Sequence, residues 1–428
     1  MLSRRTRYRI FSITLWKQRL MFLGGAIVVG LVAAGFAIAC ERFQHIFDRV
    51  LVTSRFLPLL VTPLGFMLCA FMAKRFFPGS QGSGIPQVVA ARQSRDIDVR
   101  TKLVSLKIAF GKLLLTPLGI MFGASIGREG PTVQVGAAIM LASGKFFGRS
   151  QQHGLILAGG AAGIAAAFNT PLAGIVFAIE ELSRAYERRT NSLVLTAIIF
   201  AGISAMAILG NYTYFGTMRA GIDTYAWPAV IVCGLAGGLF SRFIIAALSF
   251  RLPWGISTQM KNHPYWFAGS CGLAIAIMGV CSHNIVYGSG YSAARNLIEG
   301  GASVSSFFGV LKFLATALSS ISGIAGGFFA PSLATGAGLG ANIASLFPGL
   351  SPAVLVMLGM VAYFSGIVQA PITAFVIVFE MTNNHGMIVP IMAAALIASI
   401  TSKLVCPSPI YHTLAENALR QIRPPASS

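Results

Sequence analysis

The sequence predicts an all-α, polytopic membrane protein made of two inverted repeats of short, tilted and broken helices. Three observations lead there. Hydrophobic residues make up 55% of the 428 and charged residues only 10%, whereas soluble domains carry about 25% charged residues. Glycine and proline interrupt the apolar runs so often that clean spans of about 20 residues are a minority. The chain also repeats itself in register. Gly127-Arg128-Glu129-Gly130-Pro131 aligns with Gly327-Phe328-Phe329-Ala330-Pro331 at an offset of 200 residues. Asn169-Thr170-Pro171 and Gln369-Ala370-Pro371 keep that offset, as do Glu180 and Glu380.

Taken in order, residues 1–20 hold Arg4, Arg5, Arg7, Arg9, Lys17 and Arg19 among aromatics and leucines. They are expected to form a cytoplasmic amphipathic helix lying on the membrane. The apolar run Met21–Cys40 that follows is a full span without a small-residue cleavage site, which argues against a signal peptide. Repeat 1 is expected over residues 21–215 and repeat 2 over 216–410, with a last helix and short cytoplasmic tail over 411–428. Further full spans are expected at Leu57–Phe77, Leu103–Ala124, Leu193–Tyr214, Tyr225–Ser249, Trp266–Cys281 and Ile388–Cys406. Between them lie shorter apolar pieces: Thr132–Leu141, Gly154–Phe168, Leu172–Leu182, Ser332–Phe347, Ala353–Phe364 and Ile372–Met381. Short helices at membrane depth are allowed only where their ends are buried or line a cavity. The glycine pairs Gly159/Gly163, Gly234/Gly238, Gly323/Gly327 and Gly336/Gly340 predict close helix contacts.

The formal charge of +20 sits at the termini and in short loops. No basic patch with interleaved aromatics appears on a soluble face, so nucleic acid is excluded as a partner. Basic residues beside apolar spans instead indicate cytoplasmic loops and contact with anionic membrane lipid. That places the loops at Arg92–Lys102 and Arg251–Lys261, and the tail with Arg420 and Arg423, in the cytoplasm. Both termini are then cytoplasmic, in a multi-pass protein of the inner (plasma) membrane, and no soluble regulatory domain is expected after the last span. The segment after Glu180 is rich in arginine (Arg184, Arg188, Arg189), and the one after Glu380 has no Lys or Arg before Gly386. The matching ends therefore face opposite sides, which makes the repeats inverted and puts a substrate site near the midplane between them. Six scattered cysteines read as buried apolar packing. Six dispersed histidines give no metal-ligand spacing.

Glu129 is one of only 12 acidic residues, set among glycines in an apolar stretch. A charge at the bilayer centre costs roughly 2.5–3.5 kcal/mol on insertion scales, and intramembrane acids usually mark ion or proton pathways. Four proline-headed segments stand out: Gly82-Ser83-Gly84-Ile85-Pro86, Gly127 to Pro131, Asn169-Thr170-Pro171 and Gly326 to Pro331. Proline favours the first helical turn and glycine lets the chain turn tightly before it, so each predicts a helix N-terminus. Such a terminus carries about +0.5 of an elementary charge and binds anions. Several meeting at mid-membrane would hold a dehydrated anion without a fixed lysine, tightly enough to admit it and weakly enough to release it.

These motifs, with the late Tyr411, resemble in kind and order the signatures of the CLC chloride channels and chloride/proton exchangers, over nearly the whole chain. The resemblance implies a homodimer of CLC fold with one gated anion pathway per subunit, exchanging chloride for protons without a cofactor. By the same resemblance Ser83 supplies a hydroxyl to the central anion, the N–H groups of Phe328 and Phe329 coordinate it, and the Tyr411 phenol closes the inner side. Glu129 resembles the gating glutamate and Glu181 the inner proton glutamate of the exchangers. Ser83 is the residue expected for chloride preference, and the fluoride-transporting branch departs at both the Ser83 and Tyr411 positions. The candidate anion-binding set is Ser83, Gly84, Ile85, Arg128, Glu129, Gly130, Phe328, Phe329 and Tyr411. Within it Arg128 reads as pairing with a helix C-terminus or an acid more than with substrate. Phe328 stands where many members carry a smaller aliphatic.

The alternative within transport is a passive voltage- or pH-gated chloride channel, disfavoured by the acid at Glu181. A distant alternative is an intramembrane serine hydrolase, since Gly123-Ala124-Ser125-Ile126-Gly127 matches the GxSxG pattern. That motif needs a strand–turn–helix and a His/Asp pair, and neither is visible. Glu180 is expected to pair with Arg184 and Glu380 to be structural at a helix end. His153 and His283 read as packed or interfacial residues.

Overall fold

The Gly-Pro punctuation becomes helix starts in a computed structural model, which describes residues 12–144, 151–183, 188–210, 212–216, 226–248, 254–300 and 305–422. The basic N-terminal stretch through Arg9, Arg184, Arg251 and Arg423 lie outside them. The first half contains α1 (Ile13–Thr53), α2 (Pro58–Arg75), α3 (Ile85–Gln93), α4 (Ile97–Leu103), α5 (Leu106–Met121), α6 (Glu129–Ser143), α7 (Gln152–Phe168), α8 (Pro171–Phe177) and α9 (Arg188–Leu209). A π turn, Ala178–Ser183, follows α8. The second half contains α10 (Trp227–Leu248), α11 (Trp254–Asn262), α12 (Pro264–Cys281), α13 (Tyr291–Ile298), α14 (Phe308–Ile321), α15 (Phe329–Ala344), α16 (Pro352–Val368), α17 (Pro371–Thr382), α18 (Ile388–Val405) and α19 (Ile410–Ile422). Seven of the described helices are long and apolar enough to cross a membrane, and each overlaps one of the seven expected spans.

Two differences from the sequence reading have plain causes. Residues Ile13–Leu20 do not form a separate surface helix: α1 runs unbroken for 41 residues. No proline interrupts the stretch, so the hydrogen-bonded ladder propagates through Leu20. Helix α14 was not expected, because Lys312 and a Ser/Thr-rich end dilute its apolar pattern.

The core is helix backbone in contact with helix backbone. A Cβ at Gly159 of α7 would stand 2.3 Å from the Gly136 carbonyl of α6, and one at Gly359 of α16 would stand 2.4 Å from the Gly336 carbonyl of α15. Both crossings require glycine, and they are the same crossing 200 residues apart. Glycines 163, 234, 238 and 340 make similar close approaches. Gly323 does not: it has φ +82 with nothing within 4 Å, and so serves a turn after α14. Helix α16 is buried at every position from Ala353 to Val368, as a helix apolar all round must be. The outer helices expose Leu60, Leu64, Leu235, Phe243, Leu396 and Ile400, a surface suited to lipid tails. Four cysteines are buried, while Cys281 is exposed and Cys406 intermediate.

The repeat joints also match. Asn169 and Gln369 end α7 and α16 in the left-handed conformation, with φ 57 and 58, before the proline-started α8 and α17. The acids then cross over. Glu180 accepts the N–H groups of Ile372 (3.2 Å) and Thr373 (2.6 Å) at the start of α17. Glu380 accepts those of Leu172 (3.1 Å) and Ala173 (2.7 Å) at the start of α8. Each repeat thus caps the other's short helix. Glu180 satisfies first-turn donors that proline-started helices leave open; Arg184, its expected partner, lies outside the described residues.

Candidate functional site

Three helix N-termini are bound together at the centre by loop backbone. Gly82 donates to the Ile324 carbonyl (2.9 Å) and accepts from Gly326 (3.1 Å), joining the loop before α3 to the loop before α15. Gly127 and Gly327 exchange both backbone bonds, at 2.6 and 2.9 Å, joining the starts of α6 and α15. Gly84, at φ 105, lets the chain enter α3, and a Cβ there would meet the Gly130 carbonyl at 2.8 Å. The first-turn N–H groups of Ile85, Glu129 and Phe329 have no acceptor within their own helices. The site therefore carries positive partial charge from three termini.

Side chains complete it. Ser83 Oγ and the Tyr411 hydroxyl are buried and have no hydrogen-bond partner among the described residues. An unmade bond at a buried donor costs about 1–3 kcal/mol, a cost that a bound anion removes. Ser83 Oγ packs over Gly130, where any Cβ would collide with it. Tyr411 stacks on Phe328 with ring centroids 5.3 Å apart, which ties α19 to the start of α15. Phe329 instead packs against Phe168 and Phe364. Its ring is wall, and its backbone belongs to the site.

Glu129 opens α6 with a carboxylate that is 1% exposed. It folds over Gly127, and the Ala330 N–H and Tyr214 phenol are its polar neighbours, though neither carboxylate oxygen makes a well-formed hydrogen bond. It stands at the floor of a cavity of about 560 Å³ lined also by Arg128, Glu41, Asp48, Tyr212 and Tyr291. Arg128 lines that cavity within electrostatic reach of Tyr214, Tyr212 and Glu129.

Glu181 lies in the π turn and is 2% exposed. Its Oε1 is 3.6 Å from His412 Nε2. Tyr411 is within electrostatic reach of both Glu181 and Glu129. Arg92 binds the Leu182 carbonyl and Ser183 Oγ (2.5 and 2.8 Å) and fixes this turn.

Sequence reasoning missed three groups here. Lys112 and Lys312 are fully buried and stand 200 residues apart, a register the offset could have revealed. Lys112 Nζ donates to the Gly82 carbonyl. Lys312 Nζ holds the carbonyls of Val286 (2.9 Å) and Gly288 (2.6 Å), beside the cavity that Gly288 lines. The expectation of a site without lysine thus holds only for direct contact: two lysines brace the loops around it. His412 was the third omission, a lone histidine whose partner is distant in sequence. Ser125 donates its N–H to Ser319 Oγ and shares a hydroxyl bond with Thr316, each at 3.0 Å. Among the described residues its hydrogen-bond partners are these two hydroxyls of the neighbouring α14. His153 is bonded to Arg100 and to the Arg92 carbonyl, and His283 occupies a turn at φ 54.

Broken helices from two inverted halves, with their N-termini gathered between the halves, define an ion transporter of the inverted-repeat class. The sequence comparison is specific. Residues 65–403 match the voltage gated chloride channel family, and the chain belongs to it. It is 30% identical over 439 residues to the H(+)/Cl(-) exchange transporter ClcA of Yersinia pestis, covering 94% of this chain and 89% of that one. The ClcA of Citrobacter koseri is also 30% identical, over 92% and 86% of the two chains. Among solved structures, a slow cyanobacterial Cl-/H+ antiporter aligns with a TM-score of 0.80 at 27% identity, over 94% of this chain and 99% of that one. A CLC-type fluoride/proton antiporter aligns at 0.79 and 24% identity, over 94% and 98%, a likeness of fold.

Proposed function

We propose that this protein exchanges chloride for protons through one gated anion pathway in each subunit of a homodimer, in the inner (plasma) membrane with both termini cytoplasmic. The observation that carries the reading is the pair of buried acids, Glu129 and Glu181, both within electrostatic reach of the Tyr411 phenol. A channel needs only the anion site; a second buried acid on the inner side has a use when protons must also move. In this reading chloride sits at the N-termini of α3 and α15, held by Ser83, Tyr411 and the N–H groups of Phe328 and Phe329. The Glu129 carboxylate competes for the outer end of that site. When it takes a proton it loses its charge and its claim on the N–H groups, so an anion replaces it. Glu181 delivers that proton from the inner side, off the anion's route. The neutral hydroxyls of Ser83 and Tyr411 support chloride over fluoride as substrate.

The test is purified protein in proteoliposomes under a chloride gradient with external pH recorded. Uphill proton movement driven by chloride is the expected result, and chloride efflux without it identifies a passive channel. Replacing Glu181 by Gln should leave chloride flux and stop proton movement.

A further inference from the structure

We propose that His412 carries protons between the cytoplasm and Glu181. This inference rests on the reading of Glu181 as the inner proton acceptor. Exposure falls stepwise along the path: Gln93 is exposed, the His412 side chain is 14% exposed and that of Glu181 is 2%. His412 Nε2 lies 3.6 Å from Glu181 Oε1, and its Nδ1 lies 3.4 Å from the Gln93 amide nitrogen. The imidazole therefore spans the gap between solvent and a carboxylate that water reaches poorly.

The two ring nitrogens suit the two directions. An amide N–H of Gln93 can only donate, so Nδ1 accepts and the neutral ring carries its proton on Nε2, facing the acid. A proton taken from cytoplasmic water at Nδ1 makes imidazolium, and the Gln93 carbonyl accepts the new N–H after the amide turns end for end. The Nε2–H bond then breaks as an O–H bond forms on Glu181, leaving the neutral ring as its Nδ1–H tautomer, and a ring flip or proton exchange with water returns it to the Nε2–H form before the next proton is taken up. At 3.6 Å the heavy atoms are within ion-pair range and short of a hydrogen bond, so transfer needs a small approach or one bridging water.

Two charged groups nearby are engaged elsewhere. Glu180 uses both carboxylate oxygens to cap α17. Arg92 on α3 holds the Leu182 carbonyl and Ser183. The remaining titratable groups on the elements packed against α19 are Cys233 and Arg242 on α10 and Tyr363 on α16, and α19 itself adds Tyr411, Glu416 and Arg420. None of these arginines readily gives up a proton, and histidine is the side chain suited to doing so near neutral pH.

The experiment reconstitutes full-length wild type, His412→Gln, His412→Ala and Glu181→Gln, and records chloride efflux and chloride-driven proton uptake from the same vesicles. Both His412 variants should lose coupled proton transport roughly tenfold or more while chloride efflux stays within about twofold. Imidazole added to the buffer should restore proton transport to His412→Ala, which leaves room for it, and not to His412→Gln. A purely structural role would not respond to imidazole. Wild-type proton rates in both His412 variants, or chloride and proton fluxes lost together without rescue, overturn the proposal. If Glu181→Gln stops protons while His412→Gln does not, this inference alone fails. If Glu181→Gln transports protons normally, the reading of Glu181 fails and this inference with it.

Discussion

The starts of α6 and α15 have one backbone and two chemistries. Gly127 and Gly327 bond to each other, and Pro131 and Pro331 head their helices in the same register. At the next positions the halves part: Arg128 faces Phe328, and Glu129 faces Phe329. The same split runs through the chain. Lys112 and Lys312, Gly136 and Gly336, Gly159 and Gly359, and Glu180 and Glu380 are identical pairs, and each member brings backbone together. The residues assigned to ion chemistry stand once: Glu129 opposite Phe329, Glu181 opposite Met381, Tyr411 beyond the repeats. Duplicated positions build the scaffold and unmatched positions set what it carries. The asymmetry has a physical use, since a pathway acidic at both equivalent sites could not present a cavity-facing acid on one side and an aromatic wall on the other.

The largest expected effect comes from erasing the sharpest difference between the halves. Glu129→Gln removes the only carboxylate at the start of α6 or α15. A neutral amide cannot release an anion site by titrating, so chloride-driven proton uptake should vanish while chloride efflux continues. Proton pumping that survived would make Glu129 another scaffold residue and dissolve the contrast.

Next in size is a test of the matched pairs. Leucine at Gly159 or at Gly359 must push apart two backbones already in contact, and overpacking of this kind costs about 1–3 kcal/mol, with loss of folding where the backbone cannot move. Both substitutions should lower the thermal transition in detergent by similar amounts. A large drop for one and none for the other would show that the α6–α7 and α15–α16 crossings are not equivalent.

Smaller shifts are expected at the unmatched hydroxyls. A hydrogen bond to a charged partner contributes roughly 1.5–3 kcal/mol, so Tyr411→Ala should weaken chloride binding by one to two decades in calorimetric titration and loosen coupling as the inner barrier opens to water. Ser83→Pro should move preference from chloride toward nitrate. An unchanged chloride/nitrate ratio would remove Ser83 from selectivity.

How legible all this was depended on range. The offset of 200 and the Gly-Pro pairs are local or periodic signals, so the helix starts, the αL-ended α7 and α16, and the seven spans could be read directly. The long-range partnerships could not. Glu180 looked like half of an i,i+4 pair because the sequence shows Arg184 and hides the start of α17. Lys312 has no visible role in the sequence, because its carbonyl partners, Val286 and Gly288, lie in a turn with no pattern of its own. His412 showed no partner until α19 packed against α3 and the π turn. Gly323 shared the spacing of a contact pair, yet spacing alone does not tell a turn from a crossing.

The crossed caps give the smallest effect and the finest test of the comparison. Each carboxylate accepts two N–H groups from the opposite half, and losing a cap costs about 0.5–2 kcal/mol. Gln keeps one acceptor oxygen, so Glu180→Gln and Glu380→Gln should each lower stability by less than Glu180→Ala and Glu380→Ala. The two acids serve neighbouring helices, α8 and α17, which pack together. The double alanine variant should therefore deviate from the sum of the singles, as residues sharing a network do. Coupled transport should persist in all of the Gln variants, because neither acid lies on the proposed proton route. That last outcome separates Glu180 from its sequence neighbour. Glu181→Gln should stop protons with little change in melting temperature, while Glu180→Gln should lower the melting temperature and leave protons moving. The opposite result would mean that adjacent carboxylates in one π turn had been given each other's roles.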